Sequence, residues 1–379
     1  MPQQPSIAIV GAGPAGLTAA NIFHRHGWAC SLFEADASAT SREQGGSLDL
    51  HPNEGQLGLK KAGLLDAFLA AARHEDQEQR IVDYASGNLV YKEVPEVGMG
   101  ERPEIDRYLL RRLLLQPLGE SAIHWNTPIE RVELTADGRV ELVTKLGSAG
   151  VFNLVIGADG AWSKVRAALT EVRPDYTGVT FVELLLNDVD RQYPVQAELV
   201  GHGSLFSLHD GMGIIAQRNG NATIRVYAAF RTLAAETNRP DKTLSSITQQ
   251  QLLSRFSGWA PSLLSLITTA EKIIAVRAIV TLPVIQNWHQ RDGITLIGDA
   301  AHVMPPLGVG VNLAMLDAAE LAEALVQGAD WRKAVRAFEE AMLERSSRIS
   351  VQCNRAFDQM FSRSGLQTLL DDVQTHRGC

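Results

Sequence analysis

Close to its start the chain runs from an apolar strand, Ser6-Ile-Ala-Ile-Val10, into Gly11-Ala-Gly13-Pro-Ala-Gly16 and then into the helical run Leu17-Thr-Ala-Ala-Asn-Ile-Phe23. Strand, glycine turn and helix in that order leave few folds open. Gly11 permits the tight turn, Gly13 lets a phosphate approach the backbone, and Gly16 lets the helix pack closely on the strand. The helix N-terminus then faces the phosphate charge. A second apolar run, Ala29-Cys-Ser-Leu-Phe33, ends at Glu34, 18 residues after Gly16. That is near the spacing of an acid that accepts ribose hydroxyls. The segment predicts a Rossmann-like α/β unit that binds a dinucleotide, NAD or FAD, the alternative being a glycine-rich turn without ligand.

At 379 residues and 45% hydrophobic, the chain has room for about two ordinary domains. Its three cysteines, Cys30, Cys353 and Cys379, match neither a zinc site nor a disulfide framework, which suits a reducing, cytoplasmic compartment. No basic leader precedes the first strand and no apolar run approaches the length of a membrane span, so neither export nor membrane insertion is expected. The formal charge is -8 and no basic stripe is interleaved with aromatics, which sets nucleic acid aside.

Two later segments narrow the cofactor. The strand Ile294-Thr-Leu-Ile-Gly298 runs into Asp299-Ala-Ala-His302 and then Val-Met-Pro305-Pro306-Leu-Gly308-Val-Gly310-Val-Asn312, before a helix expected from about Leu313. Gly308 and Gly310 allow backbone amides near a planar ring, and the following helix would direct its positive end at an anionic one. His302 is read either as a base or, more commonly beside such a turn, as a tie for backbone. The other segment, Leu154-Val-Ile-Gly157-Ala-Asp159-Gly160-Ala-Trp-Ser163-Lys-Val-Arg166, reads as a strand that breaks and restarts as a helix. Asp159 serves either a pyrophosphate or the cap of the helix near Ser163.

In order and in wording these three segments resemble the fingerprints of the FAD-dependent aromatic-ring hydroxylase superfamily, the class A flavin monooxygenases. The resemblance implies FAD, with Asp299 on a ribityl hydroxyl and Asp159 near the FAD and nicotinamide pyrophosphates. Arg42-Glu-Gln-Gly45-Gly46-Ser-Leu-Asp49-Leu-His51 and Pro103-Glu-Ile-Asp-Arg107-Tyr-Leu-Leu110-Arg111 are similar to the tetracycline-inactivating subgroup. That likeness implies Arg42 for NADPH, Asp49 for FAD and Arg111 for the flavin, with Pro306, Gly308, Gly310 and Asn312 in the second fingerprint. Each has a plain alternative: Arg42 a solvated loop charge, Asp49 a turn former, Arg111 a helix-surface partner of nearby acids. The Pro306 to Gly310 loop is one residue shorter than the family's, with valine where the family has glutamine.

Between the second and third of these regions, residues from about 177 to 230 alternate through runs such as Thr180-Phe-Val-Glu-Leu-Leu-Leu186 and Ala222-Thr-Ile-Arg-Val-Tyr-Ala-Ala-Phe230. Period-two patterning predicts an antiparallel sheet. Glu183, Ser204 and Arg225 are its candidate substrate contacts, or ordinary sheet residues. The expected fold is α/β of the para-hydroxybenzoate hydroxylase type. Residues 1–72, 101–172 and 277–328 would form a discontinuous FAD domain, 73–100 and 173–276 the substrate domain, and 329–379 a helical segment bracing them. Met342, Phe357, Met360 and Phe361 on that last helix line a pocket or, more commonly, fill core.

The resemblance implies a monomeric enzyme in which NADPH or NADH reduces the flavin, O2 adds at C4a, and one oxygen passes to a small aromatic or polycyclic substrate. Tetracycline-type antibiotics are among the candidates. No metal and no side-chain nucleophile is required. A flavin reductase or dehydrogenase on the same fold, and a flavin- or drug-binding protein without turnover, are the other readings.

Overall fold

Five short apolar segments, far apart in the chain, pair side by side as a parallel sheet in the order Ile294–Leu296, Leu154–Gly157, Ile7–Val10, Cys30–Phe33 and Ile123–His124. Ile7–Val10 lies at the centre and is buried at every position. A strand covered on both faces needs such an unbroken apolar run. The helix Pro14–Arg25 follows at once, with proline where the first turn has no use for an N–H and nine consecutive buried residues from Ala15 to Phe23.

These elements come from the computed structural model, which describes residues 4–41, 45–95, 101–119, 122–232, 246–284, 288 and 291–375. The chain forms two units. The first comprises Met1–Ala72, Arg107–Asp175 and Val280–Cys353, and carries the parallel sheet. It also holds a meander of Arg131–Leu134, Val140–Thr144 and Gly147–Phe152, and the helix Gly310–Gln327.

The second unit comprises Arg73–Asp106, Tyr176–Ile279 and Asn354–Cys379. Its seven-stranded sheet runs Lys272–Thr281, Asp175–Leu186, Thr223–Arg231, Met212–Asn219, Gly203–His209, Glu78–Val82, Leu89–Glu93. The expected antiparallel pattern is broken once, where Gly203–His209 pairs in parallel with Glu78–Val82. That partner comes from a distant stretch of chain, so no hairpin dictates its direction.

Alternation along the strands sends Val182, Leu184, Leu205, Ile214, Val226 and Phe230 to one face, where they pack with Leu252, Phe256, Leu263 and Leu266. These last belong to or adjoin the helices Gln249–Arg255 and Pro261–Thr268. Each such side chain contributes about 1.5–3 kcal/mol by leaving water.

The long helix spans Trp331–Met360, its residues through Cys353 belonging to the first unit and those from Asn354 to the second. Met342, Phe357 and Phe361 are fully buried, and Phe357 and Phe361 cluster with Phe181 at ring-centroid distances of 4.9 to 6.4 Å. They are core; Met360 is half-buried. Cys30 and Cys353 are free thiols, and burial pushes Cys30 up to about 11, which leaves it un-ionised and unreactive. No described helix is long and apolar enough to cross a membrane.

Candidate functional site

The three glycines of the first turn have three different environments. Gly11 sits at φ +106°, and a Cβ there would lie 2.3 Å from the Ala158 carbonyl oxygen. A Cβ at Gly16 would lie 2.0 Å from the Gly11 carbonyl oxygen, so both positions are closed by backbone. Gly13, the N-cap of the helix, has an ordinary φ of -83° and nothing within 4 Å of its Cβ position. The space beside helix amides that a pyrophosphate would need is therefore open there.

Glu34 directly follows the second strand and is buried. Its Oε2 accepts the Ala12 N–H at 2.7 Å and its Oε1 the Asp36 N–H at 2.9 Å. Beyond the ribose role expected of it, the carboxylate thus closes the glycine turn onto the strand.

Arg111 is 4% exposed, so it is buried and not on the helix surface, yet it does partner nearby acids. Its Nη1 lies 3.2 Å from Asp36 Oδ2, its Nη2 3.7 Å from Glu34 Oε2, and its guanidinium sits over the Trp125 ring at 5.5 Å. Arg111 Nε and Nη2 have no hydrogen-bond partner among the described residues. Buried donors left this way call for acceptor oxygens. The open cradle at Gly13 and these donors fit a dinucleotide such as FAD. Arg42 lies outside the described residues.

The second fingerprint holds five more of the expected residues. Gly298 turns the chain at φ +60°, and Asp299 opens the short helix Asp299–His302 with its side chain exposed. The Asp299 Oδ1 lies 3.9 Å from the Cβ position of Gly310, and the Asp49 Oδ1 3.6 Å from that of Gly308. Pro306 is exposed at the head of the loop.

The following helix begins at Gly310, three residues before the expected start. Asn312 lies in this first turn. Fully buried, it donates from Nδ2 to the carbonyls of Asp49 at 2.9 Å and Gly308 at 3.0 Å, and its Oδ1 accepts the N–H of His51 at 2.8 Å. Its side chain thereby locks the loop to the Asp49 segment. Asp49 in turn meets His51 Nε2 at 3.1 Å, while His51 Nδ1 lies 3.0 Å from Glu54.

His302 is buried against Asp317, its Nε2 2.6 Å from Oδ2. Burial would lower the imidazole pKa, and the Asp317 charge more than reverses this and raises it. Burial would likewise raise the Asp317 carboxyl, yet His302, the Gly298 N–H and Arg345 hold it below the usual range. His302 is a tie within this network, without solvent access for proton transfer.

In the third segment Asp159 accepts the N–H groups of Lys164 at 2.7 Å and Val165 at 3.3 Å, and its burial pushes the carboxyl up. The expected helix after it is absent: the chain turns and makes only the three-residue 3-10 segment Arg166–Ala168. Arg166, given no role from sequence, is buried and donates to the carbonyls of Ala300 at 2.8 Å and Ala161 at 2.7 Å. It therefore ties the third segment to the second.

In the second unit the cross-strand register places Ser204 opposite Gln217, Gln217 opposite Arg225, and Glu183 opposite Tyr227. Opposed residues share a face. Glu183, Ser204 and Arg225 therefore stand on the face away from the apolar core, together with Phe206, Ile215 and Tyr227. Buried Glu183 accepts Arg225 Nη1 at 3.3 Å and also the Nε of Arg277, a residue sequence reasoning missed.

The FAD binding domain family matches residues 4–340 of the chain. The monooxygenase asqM of Emericella nidulans is 34% identical over 374 residues, covering 84% of this chain and 83% of that protein. Among solved structures, Klebsiella pneumoniae HpxO complexed with FAD and uric acid superposes with a TM-score of 0.81 at 22% identity, over 99% of this chain and 93% of that one. Tetracycline destructase Tet(55) follows at 0.73 and 23%, over 94% and 91%. At those identities the two structures speak to the fold.

Proposed function

Because this chain belongs to the FAD binding domain family and is an FAD-dependent monooxygenase, we propose that it hydroxylates a small aromatic or polycyclic molecule with NADPH or NADH. The balance is substrate C–H, NAD(P)H, a proton and O2 giving substrate C–OH, NAD(P)+ and water. FAD, when bound, supplies hydride acceptance and oxygen activation.

The chain's own residues hold and screen that chemistry. The helix N-terminus at Gly13 takes the pyrophosphate, Glu34 a ribose hydroxyl, and the Arg111 guanidinium an acceptor oxygen. Asp299 takes a ribityl hydroxyl, and Asp49 with the Gly308 to Asn312 turn borders the ring. The 18-residue helix Gly310–Gln327 offers its positive end to negative charge on that ring. Asp159 shapes the turn near the pyrophosphates, and Arg42 meets the nicotinamide cofactor.

The observation that carries the substrate class is the outer face of the seven-stranded sheet. There Phe206, Ile215 and Tyr227 form an apolar surface beside the Glu183, Arg225 and Ser204 row. A flat ring bearing a few polar substituents matches that mixture. Tetracycline-type antibiotics are one such class, and the likeness to a tetracycline destructase fold places them in the test panel.

The test is anaerobic reduction of the purified yellow protein by NADPH and by NADH, with phenols, fused-ring polyketides and tetracyclines added one at a time, followed by labelled O2. One compound should speed bleaching of the flavin and gain one labelled oxygen. If every compound leaves NADPH oxidation coupled only to hydrogen peroxide, the hydroxylation reading of this panel fails. Arg42→Ala should slow reduction by NADPH more than it weakens FAD retention, and equal losses would reassign it.

A further inference from the structure

We propose that Asp317 is a positioning residue for Asp299, fixing the backbone on which the exposed carboxylate stands. The inference rests on the reading that Asp299 holds FAD. Asp299 is exposed, so its aim is set by the turn beneath it. On one side of it the Gly298 N–H donates to Asp317 Oδ2 at 2.9 Å, and on the other Arg166 holds the Ala300 carbonyl. Gly298 also packs against the same helix, with Ala314 Cβ 2.7 Å from its Cβ position, so the turn has no slack toward helix 310–327.

Asp317 is 1% exposed in an otherwise apolar stretch of that helix. A buried carboxylate there would be strongly unfavourable alone. His302 Nε2 at 2.6 Å and Arg345 Nη2 at 2.8 Å neutralise it. Glu320 Oε2, 2.8 Å from the same Arg345 nitrogen, completes the group of charges around it. Arg345 and His302 thus allow a carboxylate to stand where the Gly298 N–H needs an acceptor.

General stability and positioning can be separated by removing the charges together. In Asp317→Leu with Arg345→Met the Asp317–Arg345 pair is removed whole, His302 is left to stand as the neutral imidazole and the partly exposed Glu320 to be solvated, but the Gly298 N–H loses its acceptor. In Asp317→Asn with Arg345→Met a side-chain oxygen remains for it. Flavin fluorescence titration of the apoproteins gives the FAD dissociation constant, and circular dichroism melts give the Tm, with Asp299→Ala as the reference.

The Leu/Met double variant should bind FAD at least about tenfold more weakly than the parent, in the direction of Asp299→Ala, while its apoprotein melts within a few degrees of the parent. The Asn/Met double variant should return to within about threefold. If the Leu/Met variant binds FAD as the parent does while Asp299→Ala is weakened, the proposal is wrong. It is equally wrong if Tm and FAD affinity fall together in both double variants. If Asp299→Ala itself binds FAD as the parent does, the premise fails instead.

Discussion

Both units pair buried charges, as Arg111 does with Asp36 and Asp317 with His302 and Arg345 in the first, but they differ in how much backbone those groups also hold. In the first, side chains are pinned to backbone at turns: Glu34 to the Ala12 and Asp36 amides, Asp159 to Lys164 and Val165, Asp317 to Gly298, Arg166 to Ala300 and Ala161. In the second, charge meets charge along or across neighbouring strands, as Glu183 does with Arg225 and Glu78 with Arg80 and Lys92. Turn-bound groups depend on backbone shape, and strand-bound groups on partner identity. The first unit should therefore be most sensitive to glycine replacement and the second to loss of one charge.

The largest expected effect tests the backbone half of that contrast. Gly11→Ala places a methyl carbon 2.3 Å from a carbonyl oxygen at φ +106°, where both strain and overlap must be relieved by moving the sheet. A loss of about 3–5 kcal/mol in denaturant unfolding of the apoprotein is expected. A loss below about 1 kcal/mol would mean the turn is not fixed by backbone contact.

The same contrast explains what the sequence made legible. The glycine turn, Glu34 and the 294–312 segment were legible as local patterns of residue type and spacing, whatever their partners in the fold. Arg166, Asp317, Arg345 and Arg277 were passed over because Ala300, Gly298 and Glu183 reach them only through the folded chain. Asp317 did leave a trace, as a lone acid on the apolar side of an amphipathic run. The substrate-side residues could be placed on strands from period-two alternation, but a shared face for Glu183, Ser204 and Arg225 follows only from cross-strand register. The contacts of Asn312 were likewise hidden, because they run to the distant Asp49 segment.

A pair of buried glutamates sharpens the comparison through pH. Glu78, in the second unit, would be raised by burial, but Arg80, the His202 N–H and Lys92 bring it down to about 2 from 4.5. A depressed carboxyl stabilises the fold above its unfolded pKa and loses that contribution as pH falls toward the folded one. Glu78→Gln should therefore cost about 2 kcal/mol at neutral pH once solvent screening is allowed for, with the gap shrinking below about 4.5 and closing near 2.

Glu339, in the first unit, has the opposite sign: burial pushes it up to about 7. A raised carboxyl favours the folded state while protonated and loses that as pH rises from about 4.5 to 7. Glu339→Gln should then match the parent near pH 4 and exceed it by about 2 kcal/mol at pH 8. Thermal melts of both variants across pH decide it; curves that shift in the same direction would erase the distinction.

The smallest stability change is expected at Gly13, and it separates architecture from ligand space within a single turn. Its φ is -83° and no atom lies within 4 Å of its Cβ position, so alanine fits the free protein without strain. As an N-cap, glycine is preferred over alanine, and a change of only about 0.5 kcal/mol is expected in the apoprotein. The methyl group would nevertheless stand in the space beside the helix amides that a pyrophosphate oxygen must enter. Gly13→Ala should therefore melt like the parent as apoprotein but lose the ligand-induced rise in Tm when FAD is added, because stabilisation by a ligand follows its affinity. Gly11→Ala should lose both. If Gly13→Ala keeps its FAD-induced rise, the phosphate enters elsewhere along the turn, and the open space at Gly13 is an incidental consequence of how Gly11 and Gly16 pack.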